Sequence, residues 1–142
     1  MTIILTGSSG LLGLTYAKSL LERGANMALI DIDIKNSIKI KNEFKDSENQ
    51  VKVYNCNLSK PSEITSTFKK ISKDFESFDV LINNAAFGSK QTFQAKDFKN
   101  YEIHPFELWK NAFKVNIDAV HLCTQKVIQK MKKQQKGNII NI

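Results

Sequence analysis

The residues best suited to chemistry stand where short apolar runs end. Thr6-Gly7-Ser8-Ser9-Gly10-Leu11-Leu12-Gly13 sets three glycines at three-residue intervals between a β-branched segment and a helix-like one. Such a turn can offer its backbone amides, with the positive end of the helix behind them, to a pyrophosphate. Gly7 permits the tight turn, Gly10 lets backbone approach the phosphates without a Cβ, and Gly13 lets the helix pack against the strand. A glycine turn also serves plain geometry, so its surroundings decide. Asp31 stands 24 residues after Gly7, at the end of the second apolar run. A carboxylate there can hydrogen-bond the hydroxyls of an adenosine ribose and repel a 2′-phosphate. The competing role, a strand-end turn residue or helix cap, suits Asp33 better. Asn83-Asn84-Ala85-Ala86 closes a fourth run, where small alanines leave room for a sugar ring, although asparagines at a strand end also form ordinary turns.

Other reactive side chains carry less. Cys56 and Cys123 lack the close pairing or histidine neighbours of a metal site, so both read as buried free thiols and no metal is expected. His104 and His121 read as structural or solvent-facing. Tyr16, Tyr54 and Tyr101 are followed four residues later by Leu20, Leu58 and Pro105, so no tyrosine has a lysine one helical turn away to lower its pKa. The net charge of +7 is almost wholly lysine, since Arg23 is the only arginine. That bias suits solvated faces, not the planar forks that read nucleic acid, and no nucleic-acid partner is expected. The run Lys126, Lys130, Lys132, Lys133 and Lys136 falls at the end of a helix that Gly137 is expected to stop.

The elements that position these residues alternate between strand-like and helix-like, which predicts crossover units on a parallel sheet. Strands are expected at Thr2–Thr6, Asn26–Asp31, Val51–Tyr54, Val80–Ile82 and Asn138–Ile142, with helices over Leu11–Arg23, Lys35–Asp46, from Pro61 to about Phe75, and Pro105–Lys133. Ile64, Phe68, Ile71 and Phe75 give the third helix one apolar face. Residues 88–102 read as a loop with one short helix. The fold expected is α/β, a Rossmann-type doubly wound parallel sheet of five strands in order 3-2-1-4-5 with helices on both faces, as one domain over residues 1–142. No stretch approaches the roughly 20 apolar residues of a membrane span. The first residues carry no basic, cleavable leader, so the expected setting is cytoplasmic, with no membrane partner.

Taken in order, the turn Thr6–Gly13, Asp31, Asn57-Leu58-Ser59, Asn83–Ala86, Val115-Asn116 and Gly137-Asn-Ile-Ile-Asn-Ile142 resemble the short-chain dehydrogenases/reductases over the whole chain. The resemblance implies an NAD-dependent oxidoreductase that transfers hydride between nicotinamide and an alcohol or carbonyl substrate, a sugar derivative among the candidates. It implies that the backbone of Ser9, Gly10, Leu11 and Leu12 binds pyrophosphate, with Gly7 and Gly13 shaping the turn, and that Asp31 and the adjoining Ile32 hold the adenosine ribose. Asn57 and Leu58 then flank the adenine, and Asn83, Ala85 and Ala86 face the ribose and nicotinamide. Asn116 is the catalytic asparagine that holds a proton-relay water. The complete enzyme is expected to be a homo-oligomer. Three features depart from the family. Asn57 replaces the usual aspartate that accepts from the adenine amino group, although an amide oxygen can still accept that bond. The glycine spacing matches the extended, sugar-nucleotide epimerase or dehydratase branch, while the later motifs match the shorter branch. The family's Ser and Tyr-x-x-x-Lys are expected beyond Ile142, so these 142 residues are expected to be the cofactor-binding part, inactive alone. A non-catalytic dinucleotide-binding module is the remaining alternative.

Overall fold

A computed structural model describes residues 1–88, Glu102 and residues 104–142 of the chain. Five parallel strands pair in the order β3-β2-β1-β4-β5, with β1 Thr2–Thr6, β2 Asn26–Asp31, β3 Val51–Asn55, β4 Val80–Asn83 and β5 Asn138–Asn141. All five residues of β1 are buried, because this strand lies between β2 (Thr2 opposite Asn26 to Thr6 opposite Ile30) and β4 (Ile3 opposite Val80 to Leu5 opposite Ile82). Strands covered on both faces need no polar alternation, which is why the sequence shows short unbroken apolar runs.

The alternation survives in what each side chain touches. Ile3, Leu5, Met27, Leu29 and Ile82 pack on one face with Ala17 and Leu21 of α1 (Leu11–Leu21) and Ile40 of α2 (Lys35–Glu43). Ile4, Ala28, Ile30 and Leu81 pack on the other with Ile64, Phe68 and Ile71 of α3 (Pro61–Asp74). The same cluster holds Ala119, Cys123, Val127 and Met131 of α5 (Ala119–Gln134). Both faces therefore carry helices, and the order and class of the sheet are as the sequence predicts. The short helix expected within 88–102 falls almost wholly outside the described residues.

The long C-terminal helix differs from expectation. It is interrupted: α4 (Phe106–Phe113) runs into a π-helical turn at Lys114–Asp118 before α5 begins. A π-turn is a local adjustment of backbone hydrogen bonds and leaves little mark on hydrophobic spacing, so the periodic pattern reads as one helix. Its end also differs. Gln135, with φ 51°, takes the left-handed cap that Gly137 was expected to supply. A Cβ on Gly137 would come within 2.5 Å of the Met131 side chain, so that glycine serves packing instead. Near this end Gln134 accepts from the Phe78 N–H and donates to the Phe78 carbonyl, each at 3.0 Å. Lys130 donates to the Phe75 carbonyl at 2.8 Å with its ammonium 4.4 Å from the Phe78 ring centre. The helix thus grips the chain just before β4.

Candidate functional site

The carboxyl ends of β1, β2, β3 and β4 open onto a cleft of about 990 Å³, the position where open α/β sheets take ligands. Its floor is the turn between β1 and α1. Gly7 has φ +66° and a Cβ there would sit 2.7 Å from the Ala85 backbone, so the turn packs directly on the chain leaving β4. A Cβ on Gly13 would lie 2.0 Å from the Gly7 carbonyl oxygen. Gly10 is different: its backbone is extended (φ −75°, ψ 170°) and a Cβ would find only the Gly7 oxygen, at an ordinary 3.5 Å. Neither strain nor protein packing requires a glycine at position 10, and its side-chain direction is open.

The turn's amides divide. Ser9 N–H donates to Asp31 Oδ2 at 2.8 Å and Gly10 N–H to the Gly7 carbonyl at 3.3 Å. The amides of Leu11, Leu12 and Gly13 open α1 and have no preceding turn to accept them. Of the expected pyrophosphate donors, then, Leu11 and Leu12 remain available, whereas Ser9 contributes its position. Beneath the turn, Ser37 Oγ lies 2.8 Å from Ser8 Oγ and 2.7 Å from Ser9 Oγ, with Ser8 and Ser37 fully buried. Ser37 N–H also donates to Ser9 Oγ at 3.2 Å, and Asn36 Nδ2 donates to the Ser9 carbonyl at 3.2 Å. The first turn of α2 is thereby sewn to the glycine turn.

Asp31 lines the cleft with both carboxylate oxygens anchored, Oδ2 by Ser9 N–H and Oδ1 by Asp33 N–H at 3.0 Å. Each oxygen keeps a second lone pair. Ile32 is exposed on the cleft wall; the N-cap of α2 is Ile34, and Asp33, expected to cap, accepts the Lys35 N–H at 3.1 Å in a local turn of the kind Asp31 also makes with Asp33. Leu58 is largely buried yet reaches the cleft, while Asn57 holds Ser59 N–H (3.0 Å) and Ser59 Oγ (2.7 Å) on its amide oxygen. That oxygen, expected to accept from an adenine amino group, already carries two donors.

The two asparagines at the end of β4 face different ways. Asn83 does not line the cleft: as the last residue of β4 it is buried, 4% exposed, and donates to Asn141 Oδ1 at 2.9 Å across the β4–β5 pair. Asn84, its neighbour, lines the cleft and braces it, with Nδ2 donating to the Thr6 and Gly7 carbonyls at 3.1 Å each and N–H to Thr6 Oγ1 at 3.0 Å. Ala85 and Ala86 lie on the cleft wall. Asn116 sits within the π-turn, where its amide receives Phe87 N–H at 2.8 Å and donates to the Phe87 carbonyl at 3.1 Å. Its side chain therefore fixes the strand exit. Asn36 and Asn111 also line the cleft without having been singled out by sequence, and so do Cys56, read only as a buried thiol, and Ser59 and Val115, named only within longer motifs.

The two thiols and Tyr54 carry no activated group. Burial pushes Cys56 above its ordinary value, and burial, then the neighbouring Cys56, pushes Cys123 up to about 12. Tyr54 faces a separate cavity of about 440 Å³ at the β3 edge; burial, then its 2.6 Å hydrogen bond to Asp74 and that carboxylate's charge, raise its pKa. Among the described residues, no helix is long and apolar enough to cross a membrane.

The sequence model described as short chain dehydrogenase matches residues 1–142. A D-beta-hydroxybutyrate dehydrogenase of Rhizobium meliloti is 31% identical over 143 residues, 99% of this chain and 52% of that protein. An NAD+-bound xylitol dehydrogenase superposes with TM-score 0.80 at 24% identity, over 99% of this chain and 51% of its own. An alcohol dehydrogenase from the archaeon Thermococcus sibiricus, complexed with 5-hydroxy-NADP, superposes with TM-score 0.84 at 22% identity, over 98% and 56%. At these identities the structural likeness is one of fold. The chain spans about half the length of the curated relatives it matches. A match along all 142 residues, on a sheet and a glycine-floored cleft of this kind, places the chain in the short-chain dehydrogenase family.

Proposed function

We propose that this chain is the NAD(H)-binding part of a cytoplasmic oxidoreductase that moves hydride between nicotinamide and an alcohol or carbonyl carbon of a small polar substrate. The observation that carries the cofactor choice is the anchored Asp31 carboxylate, held by Ser9 N–H at 2.8 Å and Asp33 N–H at 3.0 Å on the cleft wall. Its remaining lone pairs suit the two hydroxyls of a ribose, and a 2′-phosphate would meet a fixed negative charge. Unit charges 4 Å apart repel by about 4 kcal/mol at an effective dielectric of about 20 and by about 1 kcal/mol in water, so discrimination of tenfold or more is expected. The open side of Gly10 supports the pyrophosphate's place, because a Cβ there would project into the space a phosphate needs.

When bound, the dinucleotide supplies the hydride chemistry. The chain's residues hold it: the Leu11 and Leu12 amides receive phosphate, Asp31 and Ile32 border the adenosine ribose, and Ala85 and Ala86 leave space for the nicotinamide half. Asn116 clamps Phe87 at the far wall through both ends of its side-chain amide. The names of relatives, a hydroxybutyrate dehydrogenase and a xylitol dehydrogenase, favour a hydroxy acid or polyol as substrate, in a homo-oligomeric enzyme. The buried free thiols suit a reducing compartment. Calorimetric titration with NAD+ and NADP+ tests the reading. NAD+ should bind at least about tenfold tighter, and Asp31→Ala should erase the difference; equal affinities in the unaltered chain would overturn it.

A further inference from the structure

β3 is an outer strand of the sheet, paired with β2 on one side only. Met27 N–H donates to the Gln50 carbonyl and Cys56 N–H to the Asp31 carbonyl, each at 2.9 Å, so the even-numbered positions of this strand turn their backbone groups toward β2. By the two-residue alternation of a strand, Val51, Val53 and Asn55 turn theirs outward, where no group of the described residues bonds them. The side chains alternate as well. Val51 and Val53 pack on the α2 face with Ile40 and Phe44, whereas Tyr54, and with it Lys52, stands on the α3 face. On that face the cavity of about 440 Å³ opens between Val53 and Asn55 and one side of α3, where Lys70, Lys73 and Asp74 line it. Asp74 already accepts the Tyr54 hydroxyl at 2.6 Å, and Lys52, Lys70 and Lys73 enter no ion pair among the described residues. This edge thus presents unpaired backbone groups, with an apolar flank on one face and three uncommitted cations on the other.

We propose that the β3 edge is a docking site for an extended segment of a partner protein in which acidic and apolar residues alternate, added to the sheet as a further strand. Main-chain hydrogen bonds to Val53 and Asn55 hold the segment; its acidic side chains reach Lys52, Lys70 and Lys73, and its apolar ones cover Val53 and Phe44. A second copy of this chain does not suit the edge, because pairing β3 with β3 brings the two lysine clusters together on one face, and edge lysines discourage such self-pairing. An acidic strand turns the same charges into attraction. The surface shares no lining residue with the dinucleotide cleft, so the assignment does not depend on that reading.

Fluorescence anisotropy of a labelled, end-blocked peptide of alternating glutamate and valine, titrated with the full chain, tests the site. The peptide should bind, and more weakly as salt is raised from about 0.05 M to about 0.5 M. Lys70→Glu combined with Lys73→Glu should weaken binding by about tenfold or more while the chain stays folded by circular dichroism. Val53→Pro removes an outward N–H without touching the ladder to β2 and should weaken binding several-fold. With the protein unaltered, methylating the glutamate amides and methylating the valine amides of the peptide should differ. One set faces β3 and its methylation should abolish binding; the other faces away and should leave most of it. No binding of the unmethylated peptide, or equal effects of the two methylations, overturns strand addition. Binding that the double lysine variant leaves unmoved overturns the acidic preference. Full displacement of the peptide by free glutamate or inorganic phosphate assigns the cavity to a small anion and overturns the docked strand.

Discussion

Replacing Gly10 and Gly13 by alanine, one at a time, separates what the turn needs in order to fold from what it needs in order to bind. At Gly13 the new Cβ would lie 2.0 Å from the Gly7 oxygen, about 1.4 Å short of ordinary contact, and 2.9 Å from Ser8 Cα. Both obstacles are backbone and cannot rotate away. Overpacking of this kind costs about 1–3 kcal/mol or more, against about 1 kcal/mol returned by alanine's better helix propensity. A net loss near 2 kcal/mol should lower the melting temperature by roughly 4–8 °C for a chain of this size. At Gly10 the same methyl meets only the Gly7 oxygen at 3.5 Å on an extended backbone. Alanine is a poorer N-cap than glycine by up to about 1 kcal/mol, but it reduces unfolded-state entropy by about 0.4–1 kcal/mol, so stability should barely move. Binding should respond the other way. The Gly10→Ala methyl enters the space assigned to a phosphate, and NAD+ affinity should fall by about tenfold or more. Urea unfolding and calorimetric titration on both variants are the assays. A Gly10→Ala chain that folds normally and binds NAD+ with unchanged affinity would refute the placement of the pyrophosphate.

Ser37→Ala leaves the buried Ser8 hydroxyl without its 2.8 Å partner and should cost about 1–3 kcal/mol in unfolding free energy, with weaker NAD+ binding through the loosened turn; unchanged stability would mean that the three hydroxyls are independently satisfied. Asp79 accepts Thr2 N–H at 2.7 Å, then Ser77 and Lys136, which holds its carboxyl below the ordinary range. A lowered native pKa gives stability that is complete above the unfolded value of about 3.9 and is lost as pH falls through the native one. Asp79→Asn should therefore be less stable at neutral pH and lose less on acidification below about pH 4; parallel pH profiles would contradict this. Cys56 and Cys123 are buried with raised pKa values, so a disulfide reagent at pH 8 should find neither thiol in the folded chain and both after denaturation. Rapid labelling of the native protein would count against it.

Much of the architecture was legible because it depends on short-range rules. Apolar runs of strand length alternate with helical periods, and Gly7, Gly13 and Asp31 are confined by backbone geometry at the strand ends, so residue type and spacing alone locate them. What escaped detection depends on parity and on distant partners. Asn83 and Asn84 are adjacent and chemically identical, yet one faces Asn141 across β5 and the other faces the glycine turn. A single residue of strand register separates those fates, and the sequence does not state the register. The Ser8–Ser37–Ser9 bridge joins residues 28 and 29 apart, in a segment whose composition reads as an ordinary polar helix start. The π-turn escaped for a related reason: Ala119, Cys123, Val127 and Met131 continue an apolar spacing that an uninterrupted helix would also produce.

The polar residues around the cleft divide by hydrogen-bond capacity, and that division assigns their roles better than residue type does. Asn84 and Asn116 both look like ligand-binding amides, but Asn84 spends both amide hydrogens on the Thr6 and Gly7 carbonyls, and Asn116 takes one hydrogen bond from Phe87 and gives one to it. Amides tied to backbone in this way hold walls in place, and removing them takes those partners from the backbone groups. Asp31 and Asn57 are anchored as well, with a second lone pair left on each Asp31 oxygen and the NH2 group left on Asn57. These two residues lie at the ends of neighbouring strands β2 and β3, so an open acceptor and an open donor stand side by side on the cleft wall. The amides of Leu11 and Leu12 complete the set at the N-terminus of α1. From the end of β3 through β2 to β1 the cleft wall thus presents a side-chain donor, a carboxylate and backbone amides in turn, and a turn braced by Asn84 and Ser37 holds them in that relation.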